Sequence, residues 1–166
     1  MTDRLGTITR CYTLTYDRTS KHSAARLWQA ITQPDEVSKW MDYPSKVDLR
    51  VGGEWHVDFS RTGDGEIPGI VVRVDPERVL TYTWDLSVIE WTIEPTADGC
   101  RYRFVQAGLA FRDIPDDEGL AAGWHEFLDR LDLHLDGTYI GEPEQKRRWN
   151  SLKPPYRKML DAARGT

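Results

Sequence analysis

The chain has 166 residues, enough for one domain and short for two, and a domain of this size can fold without metal or disulfide staples. With 22 Lys and Arg against 27 Asp and Glu the net charge is −5, which counts against nucleic acid as the main partner. Seven Trp, seven Tyr and four Phe supply core-forming bulk that argues against disorder, although 30% of the residues are charged.

No apolar run approaches the roughly 18 residues that a membrane span needs. The opening Met-Thr-Asp-Arg-Leu-Gly lacks the apolar stretch of a signal peptide. Cys11 and Cys100 lie far apart in no CxxC or Cys/His cluster, which favours a reducing compartment over a disulfide framework or a zinc site. The expectation is a cytoplasmic protein without a cofactor.

In chain order, residues 7–16 alternate in period two, with Ile8, Tyr12, Leu14 and Tyr16 on one face, and read as a half-buried strand. Ser23 is a good N-cap for a helix whose Leu27, Trp28 and Ile31 share a stripe. Pro34-Asp35-Glu36 starts a second short helix that ends near Trp40 and Met41. From Lys46 to Gly108 the pattern is a series of strands. Trp55, Val57 and Phe59 alternate with polar residues, and Ile70, Val72 and Val74 precede the turn at 75–78. Leu80, Tyr82 and Trp84 follow, then Ile89, Trp91 and Ile93, then Tyr102, Phe104 and Gln106 after a turn at 96–99. Short connections between consecutive strands predict an antiparallel meander with one covered face.

Beyond Pro115 the pattern turns helical. Asp116 or Asp117 can cap a helix from about Glu118 to Leu135, with Gly137 as its left-handed stop. Leu120, Trp124, Phe127, Leu128, Leu131 and Leu135 recur at helical spacing, giving an amphipathic helix of roughly 27 Å that can lie across a curved sheet. A final segment, 142–163, is expected as two short helical pieces broken at Pro154-Pro155. Residues 113–136 carry eight acids against one Arg, whereas the tail from Glu142 carries seven Lys and Arg against three acids, so mutual attraction can dock the tail on the helix. The expected division is a single domain over 1–140 and a C-terminal helical extension over 141–166 packed on it.

This order of elements, with the motifs Ala25-Arg26-Leu27-Trp28-Gln29-Ala30-Ile31-Thr32, Gly52-Gly53-Glu54-Trp55, Val74-Asp75-Pro76-Glu77-Arg78-Val79-Leu80 and Gly123-Trp124, resembles the START-like, or SRPBCC, superfamily. Within it the chain is most similar to proteins related to the C-terminal domain of the activator of the 90-kDa heat-shock-protein ATPase. The resemblance implies an α+β helix-grip fold. A curved antiparallel sheet of six or seven strands wraps a long C-terminal helix, with two short helices after the first strand. It also implies a cavity between sheet and helix that holds an apolar or amphipathic small molecule.

The cavity candidates are Trp40, Trp55, Tyr82, Trp84, Gln106, Trp124 and Leu128: large apolar walls with a few N–H, O–H and amide groups able to orient a ligand. Gln106 alternates with Tyr102 and Phe104, so its amide faces the covered side and must be satisfied by protein, water or ligand. His125 and Asp129 stand at i, i+4, followed by Asp132 and Asp136. With no third ligand at suitable spacing, that stripe reads as a solvated acidic face and not as a metal site. Glu126 and Arg130 read as an i, i+4 pair that supports the helix by a few tenths of a kcal/mol. No catalytic constellation is visible, and His56 alternates toward water. Two further readings stay open: a protein-interaction or co-chaperone-like module, with a protein partner or homodimer, and a polyketide-cyclase-like enzyme acting in the cavity.

Overall fold

The computed structural model describes residues 10–111 and 117–165. Its elements are β1 (Cys11–Ser20), α1 (Ala24–Thr32), α2 (Pro34–Met41), β2 (Ser45–Val47), β3 (Trp55–Phe59), β4 (Gly65–Ile67), β5 (Val71–Asp75), β6 (Val79–Trp84), β7 (Ser87–Thr96), β8 (Gly99–Ala110), α3 (Asp117–Leu135) and α4 (Glu142–Arg164). The strands form two antiparallel sheets, one in the order β1-β8-β7-β6-β5 and one in the order β2-β3-β4. This is the α+β helix-grip arrangement the sequence leads one to expect. No helix among the described residues is long and apolar enough to cross a membrane.

Local chemistry explains the boundaries. The Ser23 hydroxyl accepts the Arg26 N–H at 3.2 Å to cap α1. Pro34 occupies the first turn of α2, where a missing N–H costs nothing, and Asp35 and Glu36 sit at its positive end. Gly137, at φ +74°, ends α3 in the left-handed conformation expected of it. Ile8 and Asp116, which the sequence places in the first strand and at the α3 cap, lie outside the described residues. In β5 the register shifts between Val71 and Arg73, so Val71 is buried while Ile70 and Val72 face outward.

The segment before β5 stitches the two sheets together. Trp55 N–H donates to Gly69 O at 3.0 Å, Thr83 N–H to Ile70 O at 3.0 Å, and Val71 N–H to Gly53 O at 2.8 Å. Backbone passes so closely here that a Cβ on Gly69 would overlap the carbonyl oxygens of both Trp55 and Thr83.

The tail corrects the expectation of two short pieces. α4 is one continuous 23-residue helix with Pro154 and Pro155 inside it. Each interior proline removes a hydrogen bond and strains a helix by about 3 kcal/mol, which contacts on both sides of the pair offset. Trp149 donates its indole N–H to Gly119 O at 2.8 Å, Tyr156 OH meets His125 Nδ1 at 2.8 Å, and Arg157 pairs with Glu118.

Glu126 and Arg130 also differ from expectation. Arg130 Nε stands 2.8 Å from Glu126 Oε2, and the two side chains are only 7% and 5% exposed. The pair is interior because α2 lies over this part of α3. Arg130 Nη1 donates to the carbonyl of Met41, the last residue of α2, at 3.0 Å, and its guanidinium lies over the Phe127 ring. Glu126 Oε1 has no hydrogen-bond partner among the described residues. Burial pushes the Glu126 carboxyl up to about 7 in spite of Arg130.

Two predictions follow from these geometries. Gly69→Ala lowers the free energy of unfolding in urea by about 3 kcal/mol or more, because backbone and not a movable side chain stands in the way. Gly137→Ala, in open space, costs roughly 1–2 kcal/mol from its dihedral alone; equal losses would contradict the close packing at Gly69. The folded state holds the Glu126 proton more tightly than the unfolded chain, whose carboxyl titrates near 4.5. The carboxyl's contribution is therefore complete below pH 4.5 and is lost as pH rises through about 7. Relative to Glu126→Gln, the parent should lose roughly 1–3 kcal/mol across that window, and a pH-independent difference would overturn the assignment.

Candidate functional site

The inner face of the five-stranded sheet is written by its register. Tyr82 lies opposite Ile89, Ile89 opposite Gln106, and Gln106 opposite Leu14, so one cross-strand row runs from β6 to the β1 edge. A neighbouring row holds Leu80, Trp91, Phe104 and Tyr16. α3 lays Trp124, Leu128 and Leu131, all buried, over these rows. Period two on the strands and period 3.6 on the helix thus bring residues from five elements to one apolar layer.

All seven residues singled out in the sequence are buried, Trp84 being the most exposed of them at 8%. Trp55 of β3 stacks on Tyr82 with ring centroids 4.1 Å apart and planes 15° from parallel. Trp55 also meets Trp84 at 5.8 Å, and Trp84 meets Trp124 edge-on at 5.1 Å. Trp124 continues to Phe104 at 4.4 Å, and Phe104 to Trp91 at 4.9 Å. Trp40 joins from α2 through Trp91 and Phe127, each at 6.5 Å. Trp40 also lines a concavity of about 240 Å³ with Lys39, Arg130, Leu133, His134 and the turn after α3.

The polar groups of this layer fall into two sets. Trp40 Nε1 donates to Ala30 O at 2.9 Å, Trp91 Nε1 to Tyr82 OH at 3.2 Å, and Gln106 Nε2 to Ser87 Oγ at 2.8 Å, with Ser87 Oγ in turn donating to Trp84 O at 2.7 Å. Burial pushes the Tyr82 phenol far above its ordinary value, so it acts only as a neutral group. In contrast, Trp55 Nε1 and Gln106 Oε1 are buried with no hydrogen-bond partner among the described residues. One is a donor and the other an acceptor, and each side chain is 1% exposed. Ser87, which fixes the Gln106 amide, escaped the sequence reading. Its signal was its place between Trp84 and the alternating strand that follows.

The acidic stripe of α3 is not the solvated face expected of it. Arg18 of β1 reaches across, its Nη1 2.7 Å from Asp129 and 3.5 Å from Asp132. Tyr102 OH donates to Asp132 at 3.2 Å, while Lys21 and His22 meet Asp136 at 3.0 and 2.7 Å. The physical reason is that β1 and the residues just after it flank this side of α3, a long-range pairing that spacing along the helix cannot reveal. Burial pushes the Asp132 carboxyl up and holds the His125 imidazole below its ordinary value, the latter against the pull of Asp129. Among the described residues no group of three or more His, Cys, Asp or Glu side chains could hold a metal ion. His56 is half-buried opposite Lys46, on the central strand of the smaller sheet. A further cleft of about 530 Å³, mostly apolar, lies between β1 and the second half of α4.

Comparison with known proteins fits this architecture. Protein MLL2253 of Mesorhizobium loti is 29% identical and aligns over 78% of this chain and 100% of its own, with a TM-score of 0.67. The conserved protein of unknown function EF2215 of Enterococcus faecalis is 20% identical over 90% of this chain and 85% of its own, at a TM-score of 0.72. CalU16 of Micromonospora echinospora is 21% identical over 90% and 89%, at 0.71. The last two likenesses concern the fold alone. No curated protein matches the sequence significantly. The pattern of the family described as activator of Hsp90 ATPase homolog 1-like protein matches residues 21–136, and the chain belongs to that family.

Proposed function

We propose that this protein binds an apolar or amphipathic small molecule between the five-stranded sheet and α3, with Trp40, Trp55, Tyr82, Trp84, Gln106, Trp124 and Leu128 as the lining. The observation that carries the proposal is the pair of buried, unpartnered polar atoms in an aromatic wall, Trp55 Nε1 and Gln106 Oε1. A buried polar atom left without a partner costs about 1–3 kcal/mol, so a ligand that supplies both hydrogen bonds recovers an energy the protein alone forgoes. A ligand hydroxyl can meet either one, accepting from the Trp55 indole or donating to the Gln106 carbonyl. The apolar remainder of the ligand adds about 25 cal/mol for each Å² removed from water.

The rings of the layer touch one another, so entry requires them to part. The seam between the two sheets is the place for this, because Trp55 and Phe59 are held by the smaller sheet while Tyr82 and Trp84 belong to the larger. The family membership supports the fold that such a binding protein needs.

The test is a titration of the full chain with fatty acids, fatty alcohols and polycyclic phenols, followed by tryptophan fluorescence. At least one hydroxylated ligand should quench saturably, and Gln106→Leu should weaken it about tenfold, the value of one neutral hydrogen bond, while sparing hydrocarbons of equal size. The absence of saturable binding by any member of the panel would remove the proposal.

A further inference from the structure

We infer that the cleft between β1 and the second half of α4 is a separate binding site for an uncharged, planar aromatic molecule carrying a hydroxyl group. The site goes beyond the reading given above. It is built almost wholly from residues outside the family match: Tyr12, Leu14 and Tyr16 from β1, and Leu152, Tyr156 and Met159 from α4. At about 530 Å³ it has the volume of a small-molecule pocket.

Its lining decides the chemistry of the occupant. In a chain that is 30% charged, no Lys, Arg, Asp or Glu lines this cleft among the described residues. An ionic ligand would be desolvated there without a counter-charge, which excludes it. The aromatic rings are set edge-on to one another: Tyr16 to His125 at 83°, His125 to Tyr156 at 74°, Tyr16 to Tyr156 at 60°, with centroids 5.8–6.3 Å apart. Such a corner offers ring faces to a flat guest. Met159, 64% exposed, stands at the margin as an adaptable apolar group.

One polar device remains at the inner end. His125 Nδ1 and Tyr156 OH stand 2.8 Å apart, with the Asp129 carboxylate 3.7 Å from the far ring nitrogen, Nε2. Burial lowers the proton affinity of the imidazole. The phenol of Tyr16 is already committed to Ala121 O at 2.7 Å. The Tyr156 hydroxyl, which also neighbours the Tyr16 phenol, is the polar group that a ligand hydroxyl meets at this end.

Entry has a structural route. Pro154 and Pro155 offer no N–H to the carbonyls one turn earlier, so α4 is weakest at the start of the half that walls the cleft.

Titration of the full chain with 2-naphthol, followed by its fluorescence and by the ring resonances of His125 and Tyr156, tests the inference. We expect saturable one-to-one binding that moves both sets of resonances. It should be about tenfold weaker in Tyr156→Phe, abolished in Ala163→Trp, which fills the outer end, and unchanged in Gln106→Leu. The charged analogue 2-naphthoate should bind at least tenfold more weakly than 2-naphthol. Absence of saturable binding overturns the inference, as does binding that leaves the His125 and Tyr156 resonances in place. Binding lost only in Gln106→Leu would overturn it while leaving the sheet–α3 reading intact. A dimer of the chain that dissociates on Ala163→Trp would assign the cleft to a second copy and overturn it too.

Discussion

Trp124 sits against Trp84 on one side and Phe104 on the other, and through them α3 is fixed to the sheet. Every other feature of the site depends on that clamp. It sets the height of α3 above β7 and β8, and it brings Leu128 over the same layer. It also turns the opposite side of the helix, with Glu126, toward α2 and α4. An aromatic residue buries some 150–250 Å², so a core with six buried Trp, three buried Tyr and Phe104 dominates the energetics of a domain this small. Dispersion and area burial are undirected, however. The few hydrogen bonds within the layer supply direction, and the two that are missing are its most informative polar feature.

Charge organises the outside of the same helix. α3 is strongly acidic, and its acids are met from two sides. Arg18, Lys21 and His22 approach from β1 and the residues just after it, while Arg157 approaches from α4. Exposed pairs of this kind contribute little individually. Their effect here is orientational, since β1 supplies Tyr16 and α4 supplies Tyr156 to a common corner with His125. The long tail helix is therefore more than an appendage: where it docks, it creates a second concave surface that residues 21–136 alone do not contain.

Much of this was legible in the sequence. The alternation of Trp55, Val57 and Phe59, of Leu80, Tyr82 and Trp84, and of Ile89, Trp91 and Ile93 fixed both the strands and the faces they bury. Ser23, Pro34 and Gly137 marked helix ends by mechanisms that act within four residues. The aromatic layer followed because a long helix with Trp124 and Leu128 on one stripe has only that face to cover. What was illegible depended on contacts distant in the chain. Nothing in the spacing of Glu126 and Arg130 distinguishes a surface pair from one sealed beneath α2, and nothing near Asp129 announces Arg18, 111 residues away. Pro154-Pro155 belongs here too, because local propensity argues for a break whereas contacts with α3 accompany a continuous helix.

The central claim is that the layer between sheet and α3 accepts a ligand through its two unpaired polar atoms. The indole ¹⁵N–¹H resonances report on this directly, because the Trp40, Trp91 and Trp149 indoles already donate to protein acceptors and Trp55 does not. As a hydroxylated ligand is added, the Trp55 indole proton should move downfield as it gains an acceptor, while the indoles of Trp40 and Trp149 hold their positions. A Trp55 resonance unmoved at saturation, or one that shifts only in step with every other indole, would contradict it.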